Sequence, residues 1–306
     1  MTRPTWKRAL LRIALIVSGL YLLTVIGLVL VENYLVYPVS RYPAGDWKAP
    51  DLRFEEVDFT AADGTRLVGW YLPAPAPNGE LRPAETTPGS DQPPEPQPTS
   101  RPTRTILLCH GNAENVAQAT RHLGDDLRRR LNANVLVFDY RGYGKSDGTP
   151  NEAGILLDAE AALQWLCDRT KNRPDQVILV GHSLGGGPAT HLAWKSGARA
   201  LVLQRTFGDL ADPAAAQYWW VPVRLLMQNR FRSAEKIRRC DCPLFQSHGD
   251  RDRVVPIESG HRIFDNSPAK LKQFITRTGC GHYSPLDESY WQQLQQFIEQ
   301  LESHPR

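Results

Sequence analysis

Residues 177–187 constrain the fold of this chain more than any other segment. An aliphatic run, Val-Ile-Leu-Val, leads directly into Gly-His-Ser-Leu-Gly and then into a stretch compatible with a helix. A buried strand that turns sharply into a helix needs glycine where the backbone packs closely around the turn. The turn would push the hydroxyl of its central residue, Ser183, outward. The alternative is a glycine-rich helix start with an ordinary N-cap serine.

Short β-branched runs alternate with helical segments from Thr105 onward. Segments 153–168 and 259–264 have a helical pattern and lie between predicted strands. The predicted strands are 106–109, 134–138, 177–180, 200–203, 243–246 and 271–276. This alternation predicts an α/β fold with a mostly parallel sheet and helices on both faces. Functional residues should therefore lie in the loops at the carboxyl ends of the strands.

A β-hairpin is predicted ahead of this sheet. Residues 54–60 and 66–72 alternate apolar with polar side chains, and Asp63-Gly64 lies between them. This is the pattern of two antiparallel strands joined by a tight turn. We expect the hairpin to form an antiparallel edge of the sheet.

Residues 13–31 are long and apolar enough for a transmembrane helix. At about 1.5 Å per residue, such a helix crosses a hydrocarbon core of about 30 Å. A cleaved signal peptide is the alternative, but its apolar region is usually about 7–15 residues and precedes a small-x-small cleavage site. Here the chain continues with Glu-Asn-Tyr-Leu-Val-Tyr-Pro, which contains no such site. The sequence thus predicts an uncleaved membrane anchor.

The charges around this span predict its orientation. Only Glu32 and Arg41 follow it closely, whereas four basic residues precede it: Arg3, Lys7, Arg8 and Arg12. The positive-inside rule leaves residues 1–12 in the cytoplasm. The folded domain would then lie on the outer side, which is periplasmic, extracytoplasmic or lumenal.

Three further boundaries follow from composition. Residues 32–52, rich in aromatic residues and proline, are predicted to be a juxtamembrane connector whose aromatic side chains rest at the lipid interface or pack on the domain. Residues 53–302 should form the α/β domain. Within it, residues 73–103 are rich in proline and polar residues and have almost no apolar side chains. Such a segment cannot bury enough surface to offset its ordering entropy, so we expect a disordered insertion.

Ser183 becomes a nucleophile only if a base removes its proton and an acid fixes the tautomer of that base. His282 follows the last predicted strand, in Gly-Cys-Gly-His, and so lies at the same sheet end as Ser183. Two carboxylates compete for the role of the acid, Asp250 and Asp252, in His-Gly-Asp-Arg-Asp-Arg-Val-Val-Pro. Either one satisfies the order serine, aspartate, histidine along the chain.

Preorganised N–H donors must stabilise the oxyanion that forms when Ser183 attacks a carbonyl. One candidate is the backbone N–H of Leu184, at the start of the helix after the nucleophile. The second should come from the loop after the first parallel strand, where the sequence is His-Gly-Asn-Ala-Glu-Asn, and the N–H of Asn112 is our choice. The alternative is a loop glycine that merely turns the chain.

Five motifs together resemble a known family. They are Leu-Cys-His-Gly-Asn-Ala-Glu-Asn, Val-Phe-Asp-Tyr-Arg-Gly-Tyr-Gly-Lys-Ser-Asp-Gly, Gly-His-Ser-Leu-Gly-Gly, His-Gly-Asp-Arg-Asp-Arg-Val-Val-Pro and Gly-Cys-Gly-His. They are similar to the motifs of the Bem46 and ABHD13/ABHD17-like branch of the α/β-hydrolases, which is related to the serine aminopeptidase-like hydrolase domain. In that branch the pattern His-Gly-x-x-Asp-x-x-Val-Pro puts the catalytic acid at Asp252, and Asp250 falls on a variable position.

The resemblance covers about residues 55–295. It implies the α/β-hydrolase fold and esterase, thioesterase or lipase activity, and several relatives carry an N-terminal membrane anchor. Two rival functions stay open, namely a peptidase similar to the serine aminopeptidases and a catalytically silent membrane scaffold.

Composition and spacing argue against other classes of protein. The 36 basic and 33 acidic residues give a net charge of +3 without a charged run long enough to bind nucleic acid. No spacing of cysteine and histidine fits a metal site, and no glycine-rich phosphate loop is present, so we expect neither a metal nor a cofactor. Of the five cysteines we expect most to be unpaired, because Cys242 opens its strand whereas Cys280 follows the end of a parallel neighbour.

The segment between the sixth strand and the acid loop, residues 208–235, is predicted to form a small cap. It contains the apolar run Tyr-Trp-Trp-Val-Pro-Val-Arg-Leu-Leu-Met, in which Trp219, Trp220 and Leu225 are candidates to line an acyl pocket close to the membrane. A packed core helix is the alternative. A lipid or small-molecule ester with a lipophilic acyl group is the expected substrate.

Overall fold

The computed structural model describes residues 5–39, 41–49, 52–75 and 104–303. Arg3 and residues 76–103, most of the predicted insertion, lie outside this part of the chain. Eight strands form one sheet in the order β1-β2-β4-β3-β5-β6-β7-β8. They are β1 (Glu55–Thr60), β2 (Arg66–Leu72), β3 (Arg104–Cys109), β4 (Ala133–Phe138), β5 (Ile178–His182), β6 (Ala200–Gln204), β7 (Leu244–Gly249) and β8 (Lys272–Arg277).

The sheet has the predicted topology. β1 and β2 form an antiparallel hairpin at the edge, and β2 pairs antiparallel with β4. The other neighbouring pairs in the sheet are parallel; they are β4–β3, β3–β5, β5–β6, β6–β7 and β7–β8. The predicted α/β-hydrolase arrangement is confirmed. Because the parallel strands share one direction, the loops after β3, β5, β6, β7 and β8 open at the same end of the sheet.

Helices cover both faces of the sheet. The α-helices of the described residues are α1 (Thr5–Leu30), α2 (Glu32–Val36), α3 (Val116–Ala119), α4 (Asp125–Arg130), α5 (Glu152–Thr170), α6 (Gly186–Ser196), α7 (Ala211–Gln217), α8 (Val223–Leu226), α9 (Ser233–Lys236), α10 (Ile257–Asn266) and α11 (Glu288–Ser303). Successive side chains of a strand point to opposite faces. Accordingly, Leu107 of β3 packs in the cluster that holds residues of α5 and α6, whereas Leu108 packs in the cluster that holds residues of α3, α4 and α11.

Helix α1 begins earlier than the predicted span of residues 13–31. An 18-residue stretch within its segment Trp6–Leu30 has a mean hydropathy of 2.6, and the segment is long and apolar enough to cross a membrane. Part of the connector after it packs on the domain. Tyr37 is buried, and its hydroxyl donates to Oδ1 of Asn229 at 2.9 Å, whereas Tyr34 is exposed.

The cysteines lie where the strand order predicts. Since Leu244 pairs with Lys272 and Gly249 pairs with Arg277, Cys242 precedes β7 at one end of the sheet. Cys280 follows β8 at the other end, so the two sulfurs cannot form a bridge. One contact was not predicted: the sulfurs of Cys240 and Cys242 lie 3.0 Å apart.

Candidate active site

The turn after β5 holds Ser183 in an uncommon backbone conformation. Its φ is 51°, in the left-handed region that costs a residue other than glycine about 1–3 kcal/mol. Two glycines allow the close packing around the turn. A Cβ on Gly181 would lie 2.7 Å from the carbonyl oxygen of Gly185, and a Cβ on Gly185 would collide with the carbonyl of Cys109 at the end of β3. Ser183 is half-buried, at the sheet end where the loops meet.

The structure brings together three predicted side chains from three different loops. Oγ of Ser183 lies 3.0 Å from Nε2 of His282. Nδ1 of the same imidazole lies 2.7 Å from Oδ2 of Asp252. Each distance is within hydrogen-bond reach. The imidazole therefore has one nitrogen facing the hydroxyl and the other facing a carboxylate.

The loop after β7 fixes the Asp252 carboxylate. Oδ1 accepts hydrogen bonds from the backbone N–H groups of Val254 and Val255, both at 2.9 Å. Nε2 of His248, which also bonds the carbonyl oxygen of Val255, lies 3.4 Å from Oδ2. Burial opposes ionisation, but the bonds with His248, His282 and the Val255 N–H outweigh it and hold the pKa of Asp252 well below its usual range.

Asp250 occupies a different position in the same loop. It is exposed, and its Oδ1 accepts a hydrogen bond from the backbone N–H of Gly279 at 2.7 Å. Asp250 thus connects the acid loop to the loop after β8. Of the two carboxylates that the sequence left open, Asp252 is the one beside His282.

Arg205 supports the loop that carries His282, and it was absent from our sequence-based prediction. It is buried after β6, and its guanidinium donates to the carbonyl oxygens of His282, at 2.6 Å, and of Ser284. The next residue, Thr206, donates its hydroxyl to the carbonyl oxygen of Ser183 at 2.7 Å. Two consecutive residues therefore hold both the nucleophile turn and the histidine loop. A single arginine after a strand forms no pattern that sequence reasoning could detect.

The loop after β3 lies beside the nucleophile turn. The side chain of Asn112 donates from Nδ2 to the carbonyl oxygen of Val36 at 2.6 Å and accepts from the hydroxyl of Tyr143 at 2.6 Å. These bonds hold the residue whose backbone N–H we assigned to the oxyanion. Leu184 is buried directly after Ser183. The donor roles of the Leu184 and Asn112 N–H groups stay a prediction.

Glu114 connects this loop to the nucleophile turn. Its Oε2 accepts from the N–H of Gly111 at 2.8 Å and lies 3.6 Å from Nδ1 of His182, the residue before Ser183. Its Oε1 lies 3.4 Å from Nδ1 of His122. Burial raises the pKa of Glu114, but the bonds with His122 and His182 prevail and hold it far below its usual range. Glu114 stands in a motif that we quoted, yet we assigned it no role.

We expect Glu114→Gln to lower kcat about tenfold with little change in KM. The amide can still accept from Gly111, but it loses the charge that attracts His182, so the loop after β3 is held less firmly against Ser183. A loss of about 1.4 kcal/mol of transition-state stabilisation corresponds to that factor. Kinetics on a butyryl ester measure it. Glu160→Gln, which removes a carboxylate paired with His191 between α5 and α6, should retain wild-type kcat; equal losses in both variants contradict the expectation.

Residues 208–235, which we predicted to be a small cap and call the cap, contain α7, α8 and the start of α9, and the three candidate pocket residues are exposed. Trp219 is 82% exposed and Leu225 is 86% exposed. Trp220 is 41% exposed, and its ring packs edge-on against Tyr21 of α1. Their neighbours line an apolar cleft against α1 and α2 instead. The physical reason is that α1 packs along the cap and covers a different set of side chains.

Within the described residues, no three histidine, cysteine, aspartate or glutamate side chains come together as a metal site requires.

Comparison with known proteins adds three findings. Residues 104–235 match the family described as alpha/beta hydrolase fold. An uncharacterised protein of Mycobacterium tuberculosis is 31% identical over 257 residues, which cover 83% of this chain and 81% of that protein. Protein bem46 of Schizosaccharomyces pombe is 30% identical over 207 residues, covering 66% of this chain and 68% of its own.

A similar fold occurs among solved structures. The esterase Pf2001 of Pyrococcus furiosus superposes with a TM-score of 0.63 over 86% of this chain and 97% of the esterase, at 18% sequence identity. At this identity the likeness describes the fold alone.

Proposed function

Because this chain belongs to the Bem46-like branch of the α/β-hydrolases, we propose that it is a membrane-anchored serine hydrolase that cleaves carboxylic ester or thioester bonds. The observation that carries the proposal is the chain of hydrogen bonds from Ser183 through His282 to Asp252, with distances of 3.0 and 2.7 Å. The conformation of Ser183 supports it further, since the strained turn keeps the hydroxyl accessible.

In the proposed reaction, Oγ of Ser183 attacks the carbonyl carbon of the substrate while Nε2 of His282 accepts its proton. Asp252 accepts a hydrogen bond from Nδ1–H of the imidazole, which leaves Nε2 free to act as the base. The same imidazole then protonates the leaving alcohol or thiol. Water, deprotonated by His282, hydrolyses the acyl-enzyme in the second half of the reaction.

We assign the oxyanion to two backbone donors, the N–H groups of Leu184 and Asn112. Removal of one such donor typically costs about 3–4 kcal/mol of transition-state stabilisation. The hydrogen bonds of the Asn112 side chain support this assignment, because they hold its backbone in place. The proposed chemistry uses side chains, backbone N–H groups and water, and needs no cofactor.

We assign membrane attachment to helix α1. Its length and hydropathy support the assignment, and the basic residues Lys7, Arg8 and Arg12 near its start favour a cytoplasmic N-terminus. The catalytic domain would then lie on the outer or lumenal side of the membrane.

A substrate panel tests the proposed function. The full chain, solubilised in detergent, is assayed on butyryl esters, the matching thioesters and aminoacyl amides, and is labelled with a fluorophosphonate probe. We expect labelling together with ester or thioester hydrolysis. A preference for aminoacyl amides would replace this function with that of a peptidase, and an unlabelled, inactive protein that is folded would indicate a scaffold.

A further inference from the structure

One face of helix α1 packs against the cap. Tyr21, Val25 and Leu28 follow one another at the four- and three-residue spacing that places side chains on one side of a helix, and Glu32 of α2 follows after four more. Val25 is 7% exposed, whereas Leu23 close by is 66% exposed. A uniformly lipid-facing helix would show no such difference, so this face has a protein partner.

Polar contacts hold this face to the cap at both ends. The hydroxyl of Tyr21 donates to the carbonyl oxygen of Trp220 at 2.9 Å. The carboxylate of Glu32 accepts from the backbone N–H groups of Gln228 and Asn229 and from the side chain of Asn229, at 2.7 to 3.1 Å. Cap and helix therefore form one unit on the side of the predicted active site.

The contact reaches far along the helix. The twelve residues from Tyr21 to Glu32 span about 16 Å, about half of a hydrocarbon core of about 30 Å. If α1 crosses the membrane, the cap beside it extends to the depth of the lipid leaflet on that side. The exposed side chains of Trp219 and Leu225 suit this position, because the transfer of tryptophan and leucine side chains from water to the membrane interface is favourable.

An apolar cleft lies between the two partners. Helices α1 and α2 contribute Leu28, Val29, Leu35 and Val36 to its wall, and the cap contributes Tyr218, Val221, Val223, Leu226 and Met227. The charged residue at the wall, Glu32, is engaged by the cap backbone. The carbonyl of Val36, at one end, accepts the hydrogen bond from Asn112. The wall of the cleft is thus in direct contact with the loop after β3.

We propose that this cleft binds the acyl chain of a membrane lipid ester, which enters sideways from the leaflet between α1 and the cap. The membrane anchor is then one wall of the substrate site. The inference rests on the proposed serine hydrolase function and names its substrate class. Trp219, which points outward, and Trp220, whose partly exposed ring packs on Tyr21 of α1, hold the cap in the leaflet, and their neighbours contact the acyl chain.

Filling the cleft in the full chain tests this proposal. Each additional methylene that the cleft buries should raise kcat/KM roughly fourfold, so the wild-type enzyme should prefer decanoyl over butyryl esters by a large factor. Leu28→Trp and Met227→Trp each place a large ring in the cleft, and each should lower the decanoyl-to-butyryl ratio of kcat/KM tenfold or more. Leu23→Trp introduces the same ring on the exposed side of α1 and should keep the wild-type ratio.

The outcomes distinguish a failure of the cleft proposal from a failure of the proposed serine hydrolase function. If the wild-type chain hydrolyses neither ester, the serine hydrolase function fails. If it hydrolyses butyryl esters but shows no preference for decanoyl esters, or if both cleft variants keep the wild-type ratio, the function stands and the cleft proposal is overturned. Fluorophosphonate labelling of each variant shows that its active site is folded.

A second measurement addresses the source of the acyl chain. With the ester embedded in phosphatidylcholine vesicles, Trp219→Ser combined with Trp220→Ser should lower the rate at least tenfold relative to the rate on a water-soluble butyryl ester. Trp194→Ser, which removes an exposed tryptophan of helix α6 outside the cap, is the control for a loss of rate that is specific to vesicles. An unchanged ratio in the double variant would overturn delivery from the leaflet.

Discussion

The Asp252→Asn variant should have a kcat about four orders of magnitude below that of the wild-type chain. The asparagine oxygen can still accept from the N–H groups of Val254 and Val255, so its amide nitrogen faces His282. That nitrogen donates to Nδ1, which moves the imidazole proton to Nε2 and leaves no base beside Ser183. Hydrolysis of a butyryl ester by the full chain in detergent measures the loss.

Asp250→Asn is the matched control, because the same chemical change occurs two residues away in the same loop. Its Oδ1 can keep the hydrogen bond from Gly279, so we expect kcat to remain within about tenfold of wild type, which is about 1.4 kcal/mol. Equal losses in the two variants, or a larger loss at Asp250, would reverse the assignment of the acid.

Ser183→Ala should abolish fluorophosphonate labelling and lower kcat by about six orders of magnitude, to a residual rate that N–H donors and binding alone sustain. The substitution removes the atom that forms the acyl-enzyme, whereas the backbone donors remain. Labelling followed by intact mass spectrometry detects the adduct, and ester hydrolysis measures the rate. Circular dichroism verifies that the variant is folded.

Ser196→Ala at the end of helix α6 is the comparison for this variant. It removes a serine hydroxyl from the same strand-turn-helix unit but far along the helix, so labelling and kcat should match wild type. Persistent labelling of the Ser183→Ala variant would show that another residue is the nucleophile.

Much of the fold was predictable because its signals are local. Each parallel strand is a short β-branched run, and each turn after a strand carries glycine or polar residues. The strands of the sheet could therefore be identified from the sequence. The residues of the site were predictable for the same reason. Ser183, Asp252 and His282 each stand in a short motif directly after a strand, and the carboxyl ends of parallel strands meet at one edge.

The unpredicted features depend on contacts between distant parts of the chain. Arg205 binds a loop that is separated from it by 77 residues, and a lone arginine has no periodicity that would identify its partner. Glu32 is separated from Asn229 by 197 residues. Trp219 looked like a pocket residue because an apolar run does not show which of its side chains will be buried until the element that packs against it is known. The partner proved to be α1, which sequence reasoning treated as a tether only.

The contact between α1 and the cap also fixes the rotation of the proposed anchor about its own axis, that is, which face of the helix is turned toward the cap. A membrane helix that only tethers a domain can gain or lose a residue without consequence. Here one residue inserted between Tyr21 and Glu32 would rotate the preceding helix by about 100° and shift it by about 1.5 Å, turning Tyr21 away from Trp220. The proposed anchor is therefore defined by its register as well as by its length and hydropathy, and an anchor from another protein of equal hydropathy would not be equivalent to it.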